Sequence, residues 1–167
     1  MSRSPRIGLS AVILVALAAF VGAWVVAAPS VGAAGRCQTL KGTLTSTANF
    51  TNFTTSGTIS GDLEGSTFFQ GDASSLTPVT GTTSPPLNPT DHYTGDLTIT
   101  TKLGVLVTRS VGVFEFAPNG LGTQFDRVLS DRSTGRFAGA TGQLYFNFVA
   151  DSTLSGFSST YTGQICR

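Results

Sequence analysis

Apolar and polar residues alternate in short runs along most of this chain, and glycine or polar turn residues separate the runs. The run 142–150 shows this best, because Leu144, Phe146 and Phe148 share one face and polar side chains occupy the other. Short alternating runs at regular spacing predict β-strands of a barrel or sandwich. We predict eight strands, at 38–47, 50–59, 61–70, 93–101, 104–116, 122–131, 142–150 and 157–166. Apolar residues at helical spacing do not occur after residue 34, so the predicted class is all-β.

The first 34 residues have a different pattern. Arg3 and Arg6 precede an apolar run from Ile7 to Ala28, and small residues follow up to Ala34. This layout is typical of a secretory signal peptide. A retained membrane anchor is the alternative, because a run of about 22 residues is long enough to span a bilayer. We predict a signal peptide at 1–34, one domain at 35–167 and a secreted, extracellular protein.

The connection from Asp72 to Asp91 also departs from the alternating pattern. It contains four prolines with serine and threonine between them. Because proline lacks the N–H that a sheet ladder needs, this segment is predicted to be a loop. Loops of this length are either functional lids or mobile connections, and the sequence favours neither.

Charge excludes one class of partner. The chain has 10 Lys and Arg residues against 9 Asp and Glu residues, a formal net charge of +1. Nucleic-acid binding needs a clustered basic surface, so no nucleic-acid partner is predicted. No membrane partner is predicted once the leader has been removed.

The two cysteines, Cys37 and Cys166, lie near the two ends of the predicted domain. In an oxidising compartment an even pair is most simply a disulfide, and a reactive thiol is the alternative. Closing a loop of this length stabilises the fold by about 4–5 kcal/mol in the chain-entropy model. A bridge between these residues makes the first and last strands neighbours, as in a closed barrel or a sandwich.

One stretch resembles a known family. Residues 131–142 read Asp-Arg-Ser-Thr-Gly-Arg-Phe-Ala-Gly-Ala-Thr-Gly, two glycine-containing turns around Phe137. The part from Gly135 to Gly142 resembles the G-x-F-x-G-A-x-G signature of the allene oxide cyclase and dirigent superfamily, and 61–65 resembles an early strand of exported bacterial relatives. The resemblance implies an antiparallel eight-stranded barrel of the calycin type. It further implies cofactor-free cyclisation, or stereochemical guidance of a coupling reaction, in an apolar interior. The motif itself carries no catalytic residue.

Candidate ligand-binding residues lie on the predicted strand 104–116. Arg109 and Glu115 share a face with four valines. If that face lines the barrel, both are ionisable groups in an apolar interior, where burial raises the pKa of a carboxyl group. The alternative is that Leu106, Phe114 and Phe116 fill the interior and the charges are solvated. The pattern does not decide which face points inward.

Three further polar residues, Tyr145, Asn147 and His92, could have a binding or structural role. Tyr145 and Asn147 are candidate ligand contacts, or they form the wet outer side of their strand. His92 is the one histidine, and a zinc site needs three or four ligands, so no metal is predicted. The sequence lacks G-x-S-x-G, which disfavours a serine hydrolase of that type.

These observations predict an exported, single-domain, eight-stranded antiparallel barrel that holds a small apolar molecule without a cofactor. If the protein catalyses a reaction, we predict cofactor-free isomerase, cyclase or dirigent-like activity. The alternative is a non-catalytic cell-surface or extracellular module whose outer threonine-rich face makes the contacts. A phenylalanine-lined interior with one or two ionisable groups favours the first function. An interior packed solid by side chains favours the second.

Overall fold

Eight antiparallel strands close into a barrel in the computed structural model, which describes residues 35–79 and 90–167. These residues belong to one compact unit, Gly35–Arg167. The strands, with one additional short strand β4, are β1 (Cys37–Asn49), β2 (Thr54–Gly61), β3 (Gly65–Gly71), β4 (Thr77–Pro78), β5 (Thr90–Thr101), β6 (Gly104–Glu115), β7 (Leu121–Val128), β8 (Thr141–Ala150) and β9 (Gly156–Cys166). The sheet order is β3-β2-β1-β9-β8-β7-β6-β5-β4, and pairing of β3 with β5 closes it. The predicted all-β, eight-stranded antiparallel barrel is confirmed.

Residues on each strand alternate between the interior and the outer surface. Leu44 of β1 lies opposite Ile59 of β2, and both are buried. Leu144 and Phe146 of β8 are buried as the sequence predicted, while Gln143 and Tyr145, which alternate with them, are exposed. Burial of one face of every long strand supplies the apolar driving force for closing the sheet.

Cys37 and Cys166 form the predicted disulfide, which joins the first and last strands. The two cysteines are directly opposite each other in the β1–β9 ladder, and pairing continues from there to Thr47 and Gly156. The covalent link therefore joins two strands that backbone hydrogen bonds already hold together.

The segment that connects β7 to β8 folds over the start of β6. Its backbone N–H groups donate to β6 and the turn before it, from Thr134 to the Val105 carbonyl at 2.8 Å and from Arg136 to the Leu103 carbonyl at 2.7 Å. Gly135 and Gly139 take φ values of +59° and +71°, which favour glycine. A single 3-10 turn (Gly135–Phe137) points Phe137 inward, where it is buried. The predicted pair of glycine turns around one buried aromatic is confirmed.

The segment after β3 corrects part of the sequence prediction. Thr77 and Pro78, which we predicted to be loop, form β4 and pair with His92 and Asp91 of β5. A proline is tolerated there because a two-residue strand at the margin of the sheet needs few ladder donors. The predicted signal peptide at 1–34 and most of the proline-rich loop, at 80–89, lie outside the described residues.

Candidate functional site

One end of the barrel contains an apolar cavity of about 90 Å³. We call this the aromatic end; the turns 50–53 and 116–120 lie there. Aromatic side chains make up half of the lining residues: Phe50, Phe53, Phe69, Tyr93, Phe114, Phe116, Phe146, Phe148 and Phe157. The rim is partly exposed, with Phe50 at 40%, Leu76 at 38% and Phe116 at 37% of their surface accessible. Clustered exposed apolar side chains around a cavity are typical of an entrance for an apolar ligand.

Most neighbouring aromatic rings of the wall pack edge to face. Phe114 contacts Phe116 and Phe157 with ring centroids 5.7 and 5.4 Å apart, and Phe157 contacts Phe148 at 5.3 Å. On the other side Phe69 lies 5.7 Å from Tyr93 in the same kind of contact. These pairs favour the observed ring orientations and hold the wall in shape.

A chain of polar side chains begins at the cavity wall and runs into the barrel. The Tyr93 hydroxyl donates to Gln124 Oε1 at 2.8 Å, and Gln124 Nε2 donates to Asp126 Oδ1 at 2.8 Å. Thr108 Oγ1 donates to Asp126 Oδ2 at 2.7 Å. Tyr93 and Gln124 line the cavity, whereas Asp126 lies behind them. We call Tyr93, Gln124, Asp126 and Thr108 the interior polar chain.

Asp126 is a fully buried carboxyl group, with 0% of its surface accessible. It lies opposite Ser110 of β6 and Leu144 of β8. Burial raises its pKa, and hydrogen bonds from Thr108, Ser110 and Gln124 offset only part of that rise. The ion pairs formed by the described residues involve Asp72 and Asp96, and Asp126 is in none of them. Asp126 is therefore the one fully buried carboxyl group among the described residues, and the groups that donate to it are neutral.

The opposite end of the barrel is closed. Leu63 and Phe137 are both 4% exposed there, and the Leu63 N–H donates to the hydroxyl of the buried Tyr161 at 2.8 Å. Beyond them is a wider depression of about 580 Å³, lined by both cations and carboxylates, including Lys102, Arg136 and Glu64. Access to the apolar cavity is thus from the aromatic end.

The even-numbered face of β6 lines the barrel, which places the predicted candidates Arg109 and Glu115 on the outer face. Leu106 and Phe114 are buried, while the Arg109 side chain is 44% exposed. Arg109 donates to Asp96 at 3.1 Å and to Asp72, which its guanidinium contacts directly. Glu115 is half-buried on the same outer face, opposite Thr90. Arg109 and Glu115 would lie in the interior only if their face of the strand lined the barrel, and it does not.

Tyr145 and Asn147 also lie on the outer surface. Tyr145 is 44% exposed and packs against Phe125 of β7 with ring centroids 5.1 Å apart, and Asn147 is exposed next to it on the same face. The structure does not bring these two residues together with Arg109 and Glu115 in one site. The sequence did not identify Tyr93, Gln124 or Asp126 as site residues. The available signal was that Gln124 and Asp126 are two residues apart in one predicted strand, which places both on the same face.

His92 lies on the outside of β5, where its ring contacts the Thr77 hydroxyl of β4. Within 35–79 and 90–167, His, Cys, Asp and Glu side chains form no group of three or more that is arranged to hold a metal ion. The same part of the chain has no helix with the length and apolar character needed to cross a membrane.

No family model matches the chain, and neither the curated proteins nor the solved structures include a match. Any functional assignment therefore depends on the residues and geometry described above.

Proposed function

We propose that this protein is an exported carrier or enzyme that binds a small apolar molecule in the cavity at the aromatic end. The observation that carries the proposal is the combination of a phenylalanine-lined cavity with the polar side chains of Tyr93 and Gln124 in its wall. Small-molecule sites are typically apolar hollows with a few placed polar groups that orient the ligand. A barrel interior packed solid offers no such space.

The cavity volume limits the kind of ligand. An apolar cavity of about 150 Å³ accepts a benzene-sized molecule. The space of about 90 Å³ here is smaller than that, so it holds a short alkyl group or part of a ring. A larger ligand extends past Phe50, Leu76 and Phe116 at the rim, where its outer part meets solvent.

Export is the second part of the proposal. The leader-like sequence at 1–34 supports it, and so does the Cys37–Cys166 disulfide, since disulfides persist mainly in oxidising compartments.

Any turnover in this cavity is proposed to be cofactor-free isomerisation or cyclisation, or dirigent-like guidance of a reactive intermediate. The support is the resemblance of 131–142 to the allene oxide cyclase and dirigent superfamily. In this proposal the groups that touch the ligand are the Tyr93 hydroxyl and the Gln124 side chain, and Asp126 positions them.

A pair of tryptophan substitutions on β1 tests binding in the cavity. Ala48 lines the cavity, whereas Thr47 next to it is exposed on the outer face. Titration of 4-fluorotoluene, followed by its ¹⁹F NMR line width, is expected to show saturable binding to the wild-type protein. Ala48→Trp fills the cavity and is expected to weaken that binding at least tenfold, while Thr47→Trp leaves it within twofold.

The unfolding midpoint of each variant shows whether it is folded at the temperature of the titration. Absence of saturable binding by the wild-type protein contradicts the proposal, and so does equal loss of binding in the two folded variants. Native mass spectrometry of protein isolated from its own secretory pathway then identifies any bound molecule by its mass.

An interaction module is the second candidate function, and the outer surface of β1, β2 and β9 favours it. Exposed hydroxyl side chains of neighbouring strands lie side by side there: Thr43 is opposite Ser60 and Thr160, and Thr45 is opposite Thr58. Such rows of donors and acceptors suit a polar polymer surface. Cosedimentation with cell-envelope polysaccharide tests this, and Thr45→Glu is expected to abolish it without changing 4-fluorotoluene binding.

A further inference from the structure

The hydrogen bonds of the interior polar chain have a fixed direction. An ionised Asp126 accepts at both oxygens, and the proton of a neutral Asp126 fits on Oδ2 facing Thr108 Oγ1, which leaves Oδ1 as an acceptor. Gln124 Nε2 also donates to Ser110 Oγ at 3.2 Å, which favours the same amide orientation. Thr108 Oγ1 in turn lies 3.4 Å from the Leu97 carbonyl, which accepts its proton in that case. Gln124 Nε2 therefore points at Asp126, and Gln124 Oε1 points at the Tyr93 hydroxyl.

This direction means that the Tyr93 hydroxyl already uses its hydrogen in a bond to Gln124. The hydroxyl donates to Gln124 Oε1, and what it still offers is the lone pair of its oxygen, at a residue that lines the cavity. Burial, and secondarily the charge of Asp126, raise the pKa of Tyr93, so the hydroxyl keeps its proton at neutral pH. To a ligand, the Tyr93 oxygen is an acceptor.

The position of the ring is fixed from behind by Gly112 of β6. A Cβ atom at residue 112 would lie 2.5 Å from the Tyr93 hydroxyl oxygen and closer still to the ring carbon that bears it. Only glycine leaves room for the ring here. Phe53 and Phe69 contact the same ring edge to face at 6.2 and 5.7 Å. The hydroxyl is thus held in place before any ligand arrives.

We propose that the cavity selects an uncharged apolar molecule that carries a hydrogen-bond donor, a small phenol or alcohol, and seats its hydroxyl against the Tyr93 oxygen. This inference rests on the proposed function, namely that the cavity binds an apolar molecule. The described residues that line the cavity carry no charged side chain, which is why the ligand is uncharged. A ligand whose oxygen can only accept places that oxygen against the Tyr93 lone pair. Neither the ligand oxygen nor the lone pair then receives a hydrogen bond, which weakens binding.

Three ¹⁹F-labelled probes of similar size separate the inference from the proposed function. 4-Fluorophenol has a donor, 4-fluoroanisole has an acceptor only, and 4-fluorotoluene has neither. The wild-type protein is expected to bind 4-fluorophenol at least fivefold more tightly than 4-fluoroanisole. In Tyr93→Phe this ratio is expected to fall to about one.

Tyr145→Phe is the matched control. It removes the same hydroxyl from a tyrosine on the outer surface, and the phenol-to-anisole ratio is expected to stay at its wild-type value. Gln124→Leu is a second, independent variant: it removes the acceptor that takes the Tyr93 proton, so the freed hydroxyl can donate and the ratio is again expected to fall to about one. Unfolding midpoints establish that the variants are folded.

Binding of 4-fluorotoluene without a preference for 4-fluorophenol overturns the donor selection and leaves the apolar-ligand function standing. A preference that survives in folded Tyr93→Phe, or that Tyr145→Phe also removes, overturns it too. Failure of all three probes to bind overturns both proposals.

Discussion

The inside and the outside of the wall formed by β5, β6 and β7 hold carboxyl groups in opposite ways. Inside, Asp126 is fully buried and receives hydrogen bonds from neutral Thr108 and Gln124. Outside, Asp96 lies between two arginines, Arg109 at 3.1 Å and Arg132 at 2.6 Å. Asp96 of β5 lies opposite Arg109 of β6 on the outer face, and Asp126 of β7 lies opposite the next residue, Ser110, on the inner face.

The pKa values of Asp126 and Asp96 shift in opposite directions because the groups that donate to them differ in charge. Burial raises the pKa of Asp126 because the neutral donors around it offset only part of the lost hydration. Burial also acts to raise the pKa of Asp96, but hydrogen bonds from Arg132 and Arg109 outweigh it and lower the pKa. The comparison shows that an acid without a nearby cation marks the interior here, whereas the paired acids mark the solvated surface.

The largest expected difference between the two faces of β6 is in packing. Leu106 is 0% exposed and Val111, on the opposite face of the same strand, is 53% exposed. Leu106→Ala is expected to lower the free energy of unfolding by about 2–5 kcal/mol, because it removes buried methyl groups and leaves a cavity. Val111→Ala is expected to change it by about 0.5 kcal/mol or less. Urea unfolding measures both, and similar losses would contradict the assignment of the two faces.

Replacing the interior acid sharpens the contrast through pH. The raised folded-state pKa of Asp126 means that its neutral form is favoured in the native state. Its contribution to stability is complete below the unfolded pKa of about 3.9 and is lost as pH rises toward the folded-state pKa. Relative to Asp126→Asn, which stays neutral, the wild-type protein is expected to lose up to about 1.4 kcal/mol per pH unit across that window. Urea midpoints from pH 3 to pH 8 measure the divergence.

The outer acids have the opposite pH dependence and serve as the internal reference. Hydrogen bonds from Arg109 and then Thr94 lower the pKa of Asp72, and the pKa of Asp96 is lowered as described above. Their contribution is present above the unfolded pKa and is lost as pH falls through the folded-state values. Wild-type protein and Asp126→Asn are expected to share this acid limb. Parallel curves over the whole pH range would show that Asp126 titrates as in the unfolded chain.

The smallest expected effect is on the outer surface. Arg109→Ala breaks the contacts with Asp72 and Asp96, in which the arginine side chain is 44% exposed. Exposed ion pairs contribute little, so the free energy of unfolding is expected to fall by about 1 kcal/mol or less. Because salt screens such pairs, the effect is expected to shrink further in 1 M NaCl. A loss that is large and independent of salt would mean that Arg109 acts as an interior residue.

The sequence predicted the barrel well because most strands have one clearly apolar face. In β8 the alternation of Leu144, Phe146 and Phe148 with polar residues matches the interior and the exterior directly. The terminal cysteines predicted that β1 and β9 are neighbours, which the ladder confirms. The observed β2 starts four residues later than predicted, because 50–53 form the turn that contributes Phe50 and Phe53 to the cavity.

The candidate site was not predicted, because β6 and β7 invert the usual pattern. The inner face of β6 carries Thr108, Ser110 and Gly112, which bond or make room for interior side chains, while valines occupy the outer face. In β7, Phe125 lies outside and packs on Tyr145, while Asp126 lies inside. A hydrophobicity pattern predicts that the more apolar face of a strand points inward. That prediction is wrong where the interior itself contains polar side chains.

Closure of the barrel also limits how copies of this chain can associate. Each of the eight long strands has neighbours on both sides, so its backbone N–H and C=O groups offer no free template for a foreign strand. Among the strands that the structure describes, β4 alone ends the sheet order, and it is two residues long and contains Pro78. Among the described strands, fibril growth by strand addition therefore has only this short edge to start from, and exposed side chains such as Leu121 and Val149 offer copies another way to associate.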